Sequence, residues 1–424
     1  MTRILLVLAV LTALVPTAAV GGAPAGTGEG VVVPIYHPET GDLVCRIVAK
    51  KVFPSAADPK VLRASDVEIT FHREGKKHVA VADTGTLDAE RRNVTLAGNV
   101  VLTFTHERPI ELATGRLLWL GDLGLATTEA PDDKTRKALA KSKTPTAILR
   151  KLAERSKTPV TVTTKGITIK GFGMLVAVSD TSAGKAEPGR TDYILIGGPV
   201  QTTITDTDSA WLLGADASPP KANGEPKAKA PDADAPAKQP PSPVVITCPG
   251  PLVLHRQDLT AVYHGGEKGA VRAVQGQRTL ACRMLTLAFR TVADAATKQT
   301  KPDFEGVTAH GDVRIDSGQD HATADTVAWH HRDGFALLVG APAVITWDNG
   351  NELRAGSIRR KTLRIEVRDP KAGKARAKDV LDWLECSSTP DHPHSVYLRA
   401  RTPAASPATP PETPRAPAQA PEDR

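Results

Sequence analysis

His330 and His331 stand side by side, and His392 and His394 flank a proline in the run DHPH (391–394). Imidazoles so close in sequence are this chain's best candidates for a metal ion. Neighbouring residues of a strand point to opposite faces, so His330 and His331 do not converge on one ion. The second pair lies in a Pro-containing loop with no Cys or further His spaced to complete a ligand shell. A solvated turn is the plainer reading, and no metal site and no cofactor are expected. Cys45, Cys248, Cys282 and Cys386 form no C-x-x-C, which leaves zinc and thioredoxin-like redox chemistry without support. In an oxidising compartment the four could pair in any of three ways, or remain buried small residues. Asp and Glu are plentiful, but they fall mainly at turns or on the polar phase of alternating strands. Nucleophile-elbow, H-E-x-x-H and phosphate-loop motifs are absent from the sequence, and no S-x-x-K is followed by K-T-G, so a non-catalytic protein is expected. A polysaccharide-active β-repeat enzyme is the alternative that a carboxylate pair in a cleft would revive.

The run from Lys134 to Lys157 is more informative. It holds nine Lys or Arg and a single acid. Ala138, Leu139, Ile148, Leu149 and Leu152 give it partial helical amphipathicity, and Pro145 divides it into two short helices. Falling between two strands, it should project from one rim. Lys134, Arg136, Lys137, Lys141, Arg150 and Lys151 are candidates for anionic head groups of a membrane surface or glycolipid. A solubilising excursion that touches nothing specific is the competing reading.

The elements around these residues are β-rich. Aromatics make up only 4%, while 34 Gly and 34 Pro suit many short strands and turns. The formal charge of +7 fits an anionic partner, but no nucleic-acid motif accompanies it. Arg3, the apolar run Ile4–Val20 and the small residues to Ala25 describe a secretory signal over 1–25 or an uncleaved anchor. Either makes the body of the protein exported. Residues 216–243 and 401–424 are Pro- and Ala-rich without a core-forming pattern, and read as a disordered linker and tail. Two strand-rich blocks remain, 31–215 and 244–400.

Both blocks repeat. VTLAGNVVLTF (94–104), VTAHGDVRI (307–315), ILIGGPVQTTI (194–204) and LLVGAPAVITW (337–347) place Gly-Asn, Gly-Asp, Gly198-Pro199 and Ala341-Pro342, respectively, between alternating segments. Read locally, each is a hairpin with a type II′ turn. A second element centres on a small residue, at Ala82, Thr114, Gly171, Cys282, Ala324 and Ala355. Its spacing is 32 residues from Ala82 to Thr114 and 31 from Ala324 to Ala355, a repeat signature near thirty. Alternation gives each strand one apolar face, and the stacked rungs should roll into an antiparallel sheet with a greasy interior. The interior is either a closed core, as in a self-assembling envelope scaffold, or an open groove.

The segments ADTGTLDAERRNVTLAGNVVLTF, IELATGRLLWL and GITIKGFGMLV resemble the LptC-type proteins of lipopolysaccharide export. VTAHGDVRIDSGQDHATADTVAWHHRDGFALLVGAPAVITWDNGNELRAGSIRR is similar to the OstA-like domain of LptA. The resemblance implies an all-β chain of two tandem antiparallel β-jellyroll (β-taco) domains. Its apolar interior would hold lipopolysaccharide acyl chains, and its edge strands would dock other jellyroll proteins of a periplasmic bridge. On that reading the groove is lined by Val100, Leu102, Phe104, Leu117 and Trp119 in the first block. Val313, Ile315, Phe335, Leu337, Ile345 and Trp347 line it in the second.

Overall fold

The computed structural model describes residues 28–205 and 242–397, apart from 37–39, 57, 59, 74–75, 89–91, 106–108, 143–144, 179–192, 256–257, 294–299, 319, 332–333, 348–349, 369–374 and 388–394. Residues 1–25, expected as a signal or anchor, most of the expected linker, the expected tail and the DHPH histidines therefore lie outside the described residues.

The chain is all-β, and its described residues form an antiparallel sheet of 22 strands with a short helical insertion. Six strands form a meander: β1 (Gly28–Tyr36), β2 (Leu43–Pro54), β3 (Val61–Arg73), β4 (Lys76–Asp88), β5 (Asn93–Phe104) and β6 (Ile110–Leu120). The next rung is split. The short β7 (Leu125–Thr127) pairs with one end of β6, and β8 (Pro159–Thr164) pairs with the other. Both halves pair onward with β9 (Ile167–Ala177), which pairs with β10 (Tyr193–Ile204).

The two blocks then join directly. β11 (Val244–Cys248) and β12 (Leu252–His255) both hydrogen-bond to β10, with Thr202 opposite Ile246 and Ile194 opposite Leu254. Whatever the path of the intervening segment, the blocks meet edge to edge within one sheet. Split rungs continue with β13 (Thr260–His264), β14 (Val271–Gln275), β15 (Arg278–Cys282) and β16 (Met284–Ala293). The long strands β17 (Thr300–Asp316), β18 (His321–His330), β19 (Phe335–Thr346) and β20 (Glu352–Arg368) follow. β21 (Ala375–Ser387) and β22 (Ser395–Tyr397) close the far edge.

The hairpins expected at the Gly-centred motifs are not hairpins. β5 runs uninterrupted through Gly98-Asn99, and its two halves pair with the same neighbours, β4 and β6, on either side of a bulge between Ala97 and Val100. Gly98 and Asn99 have φ of 76° and 42°. Two consecutive positive-φ residues close a tight turn when the flanking segments pair with each other. Here each segment pairs outward instead, and the same geometry becomes a corner that bends the strand. Gly311-Asp312 in β17 repeats it, with φ of 78° and 49°. The Gly-Pro versions form the corners of β10 and β19.

The expected small residues stack along this line of corners. A Cβ on Gly98 would stand 2.5 Å from the Asp83 carboxylate, which accepts a 2.9 Å hydrogen bond from Asn99 Nδ2. One on Gly171 would meet Ile196 at 2.6 Å.

The corners divide the sheet into two leaves that face each other. Phe71 on one leaf packs against Trp119 on the other at 5.4 Å between ring centroids. At the junction of the blocks Tyr263 Oη donates to Thr202 Oγ1 across the same gap at 3.0 Å, both groups buried. One continuous apolar core lies between the leaves, from Val44 to Ile358.

All four cysteines are free thiols, with Cys45, Cys248 and Cys282 buried and Cys386 partly so. Burial pushes Cys248 from the ordinary 9.0 up to about 11. Burial, with Cys248 nearby, pushes Cys282 up to about 12. A thiol raised on folding favours the native state while neutral. That contribution is complete below its unfolded value near 9 and is lost as pH climbs toward the folded values. Stability should thus fall above about pH 9. At about pH 8 a disulfide reagent should modify Cys386 well ahead of the other three, and all four at one rate in denaturant. Equal native rates would contradict the burial.

A candidate ligand-binding trough

The lining residues inferred from the sequence divide into three groups. Val100, Leu102, Phe104, Leu117 and Trp119 all face the space between the leaves, and each is at most 1% exposed. With Phe71 reaching Trp119, side chains of the protein itself fill the interior there. Val313 and Ile345 are also buried in the second block, whereas Ile315 and Trp347 pack against the core yet keep part of their surface accessible.

Phe335 and Leu337 are a correction, because they lie on the outer face of β19. Ala336 and Leu338 carry the inward phase before the corner, and Ala343, Ile345 and Trp347 carry it after. The Gly340–Pro342 corner spans an odd number of residues and reverses the alternation, whereas the Gly98-Asn99 corner of β5 preserves it. Phe335 stacks on His330 at 4.6 Å, and the Arg359 guanidinium covers its ring at 4.3 Å. His330 is thereby placed on the outer face. His331 meets Phe304 edge-on at 5.6 Å. Among the described residues no three His, Cys, Asp or Glu side chains gather as for a metal ion.

Over β17–β20, as over β1–β4, the space between the leaves is lined by apolar side chains that keep part of their surface accessible. Over β17–β20 these are Ile315, Ala322, Trp329, Ala336 and Trp347, all only partly buried against the core. Polar groups enter the interior at this place. Arg360 lies on the inward phase of β20, two residues beyond the buried Ile358, directly across from Ala336. Its guanidinium reaches Asp320, at the tip of the opposite leaf, at 3.6 Å. Trp329 Nε1 is buried with no hydrogen-bond partner. Sequence reasoning passed over Trp329, Arg360 and Asp320. The inward phase of Arg360 could be read from Leu353, Ala355 and Ile358, but its carboxylate partner comes from a different strand and the other leaf.

The basic insertion occupies the corner of the split rung between β7 and β8, not a rim. One helix spans Asp133–Lys141, capped by the Asp132 carboxylate accepting from Thr135 N–H at 2.7 Å. Hydrogen bonds from Thr135 hold that carboxyl below its ordinary range. The second helix, Pro145–Arg155, buries Leu149 and Ala153 against the outer face of the sheet. Leu118, Leu175 and Leu195 meet it there, together with Val253 from the second block. The Glu129 carboxylate closes the base, accepting from Ser156 and Thr158 hydroxyls at 2.5 and 2.8 Å. Lys134, Arg136, Lys137, Lys141, Arg150 and Lys151 all stay exposed; Arg136 pairs with Asp133 at 3.6 Å and Arg150 with Glu154 at 2.9 Å. Among the described residues no helix is long and apolar enough to cross a membrane.

Residues 254–364 match the family model described as LptA/(LptD N-terminal domain) LPS transport protein. The resemblance to the OstA-like family therefore holds for this segment, which contains β13–β19 and an accessible part of the trough. Among solved structures the chain is similar to LptH, the LptA homologous periplasmic component of the lipopolysaccharide transport device from Pseudomonas aeruginosa. Identity is 18%, the TM-score 0.24, and the match covers 38% of this chain and 96% of that one. No curated protein matches the chain.

Proposed function

We propose that this chain is a non-catalytic periplasmic component of lipopolysaccharide transport. Its trough shields acyl chains during export to the outer membrane. The observation that carries the reading is the cluster of half-buried apolar residues between the leaves over β17–β20, inside the segment that matches the LptA/LptD family model. Apolar chains leaving water there would gain roughly 0.8 kcal/mol per buried CH₂. A lining repeated from rung to rung would offer similar affinity at successive positions, as movement along a bridge requires.

In this reading residues 31–215 are an LptC-like jellyroll and 244–400 an LptA-like one, exported by the N-terminal segment. The outer strands β1 and β21/β22 leave edges for strand addition by other jellyroll proteins of the bridge. The six exposed basic residues of the insertion would meet anionic head groups at a membrane surface.

A closed envelope scaffold is the second reading, favoured by the fully buried Leu102 and Phe104 and by the Phe71–Trp119 contact that fills the first block. Purification from the native envelope in mild detergent, followed by solvent extraction and mass spectrometry, separates the two. Bound glycolipid at about one per chain or more is expected. Protein free of lipid would leave only the scaffold.

A further inference from the structure

Across the inward face of the leaf that carries Trp119 in the first block runs the lateral row Leu287, Val307, Trp329, Ala336, Arg360 and Leu384, each directly opposite the next. Arg360 is the charged member of an otherwise apolar row. Ala336 is the smallest, and it separates the two side chains that carry donors. Trp329 and Arg360 lie on strands two spacings apart, roughly 9.5 Å, with only the methyl group of Ala336 on the strand between them, and the place over that methyl group is the notch. On one side of the notch stands a buried indole N–H without a hydrogen-bond partner, which is costly unless something accepts from it. On the other stands a guanidinium whose partner across the mouth is the carboxylate of Asp320 at 3.6 Å.

We propose that this notch binds the oxyanion head group of an amphiphile whose chain lies in the trough. This rests on the lipid-binding reading above and adds a polar anchor to it. Arg360 holds the oxyanion through its planar fork of donors. Trp329 donates its unused N–H, and Ala336 leaves the room. Asp320 competes for the same guanidinium, so the anion must displace a carboxylate to settle, and head groups without negative charge do not. The Arg360–Asp320 pair therefore sorts ligands by charge at an accessible part of the interior.

The test is calorimetric titration of the full-length protein with three probes: lauroyl lysophosphatidate below its micelle concentration, the uncharged monolaurin of the same chain, and inorganic phosphate. Lysophosphatidate should bind about tenfold or more tighter than monolaurin. Arg360→Gln should abolish that preference while leaving monolaurin unchanged. Trp329→Phe, which keeps the ring and removes the donor, should lower lysophosphatidate affinity about threefold to tenfold. Asp320→Asn should raise it. Arg360→Lys keeps the charge and should retain part of the preference, which guards against a folding defect in the glutamine variant.

Equal binding of the two amphiphiles by the native protein, or equal losses for both in Arg360→Gln, would overturn the notch while leaving the apolar trough standing. Binding of neither would overturn the trough and the notch together. Phosphate alone binding as tightly as lysophosphatidate would show a free-anion site and remove the amphiphile from the proposal.

Discussion

An alanine at Gly173 should destabilise the protein by about 2–5 kcal/mol, summing the left-handed backbone penalty and the cost of overpacking. Gly173 has φ of +67°, and a Cβ there would stand 2.0 Å from the carbonyl oxygen of Ala153 and 2.5 Å from Ser156 Cβ. The backbone cannot step aside, because Gly173 N–H donates to the Thr158 carbonyl at 2.8 Å. Relief requires the second inserted helix to lift, which uncovers Leu149, Leu175, Leu195 and Val253. The variant should unfold at markedly lower urea concentration, and trypsin should cleave within the basic insertion faster than in the native protein. Gly115→Ala is the matched control: no atom lies within 4 Å of its added Cβ, so a change within about 0.5 kcal/mol is expected. Equal stability of the two variants would mean that the helix is not seated as described.

The same helix shows where sequence reading reached its limit. The charge run, the partial amphipathicity and the break at Pro145 were all legible between Lys134 and Lys157. Its place was not, because no local pattern says that Val253, about a hundred residues later, supplies part of the surface under Leu149. The insertion interrupts a rung at its corner, where other strands need only a bulge, and the staple of Glu129 to Ser156 and Thr158 re-forms that corner around it.

The alternation of β5 likewise foretold its apolar face from Val94 to Phe104, and the small corner residues foretold close stacking. Yet Gly98-Asn99 carries the local code of a tight turn. Only pairing of both halves with β4 and β6 makes it a bend. Register across corners was the second ambiguity. An odd corner in β19 moved Phe335 and Leu337 to the outer face, while the even corner of β17 kept Val313 and Ile315 inside. Sequence thus disclosed which segments have a greasy side, and the corner length decided which residues belong to it.

One continuous sheet changes what a bridge component would be. Two jellyrolls on a loose tether would present a gap between them, whereas β10 hydrogen-bonds to both β11 and β12 and the apolar core crosses that joint. The Tyr263–Thr202 bond across the leaves sits at the same place. Its burial raises the Tyr263 hydroxyl well above the ordinary range, with Thr202 partly opposing the shift, so the phenol stays neutral as a donor there.

Leu102→Asp and Trp347→Ser should behave in opposite ways, and the contrast separates core from trough. Leu102 is fully buried, flanked on the same face by Ala80 and Leu112. A carboxylate there has no partner, must either protonate or be exposed by unfolding, and should cost about 4 kcal/mol or more. Circular dichroism during thermal melting should show the loss directly. Trp347 is only half-buried at an accessible part of the lining, so its removal forfeits less apolar contact, about 1–2 kcal/mol. The fold should survive, while lipid recovered from the envelope-purified protein falls to about half or less. If Trp347→Ser instead unfolds the chain as Leu102→Asp does, the leaves are sealed by their own side chains along their whole length, and an amphiphile has no seat between them.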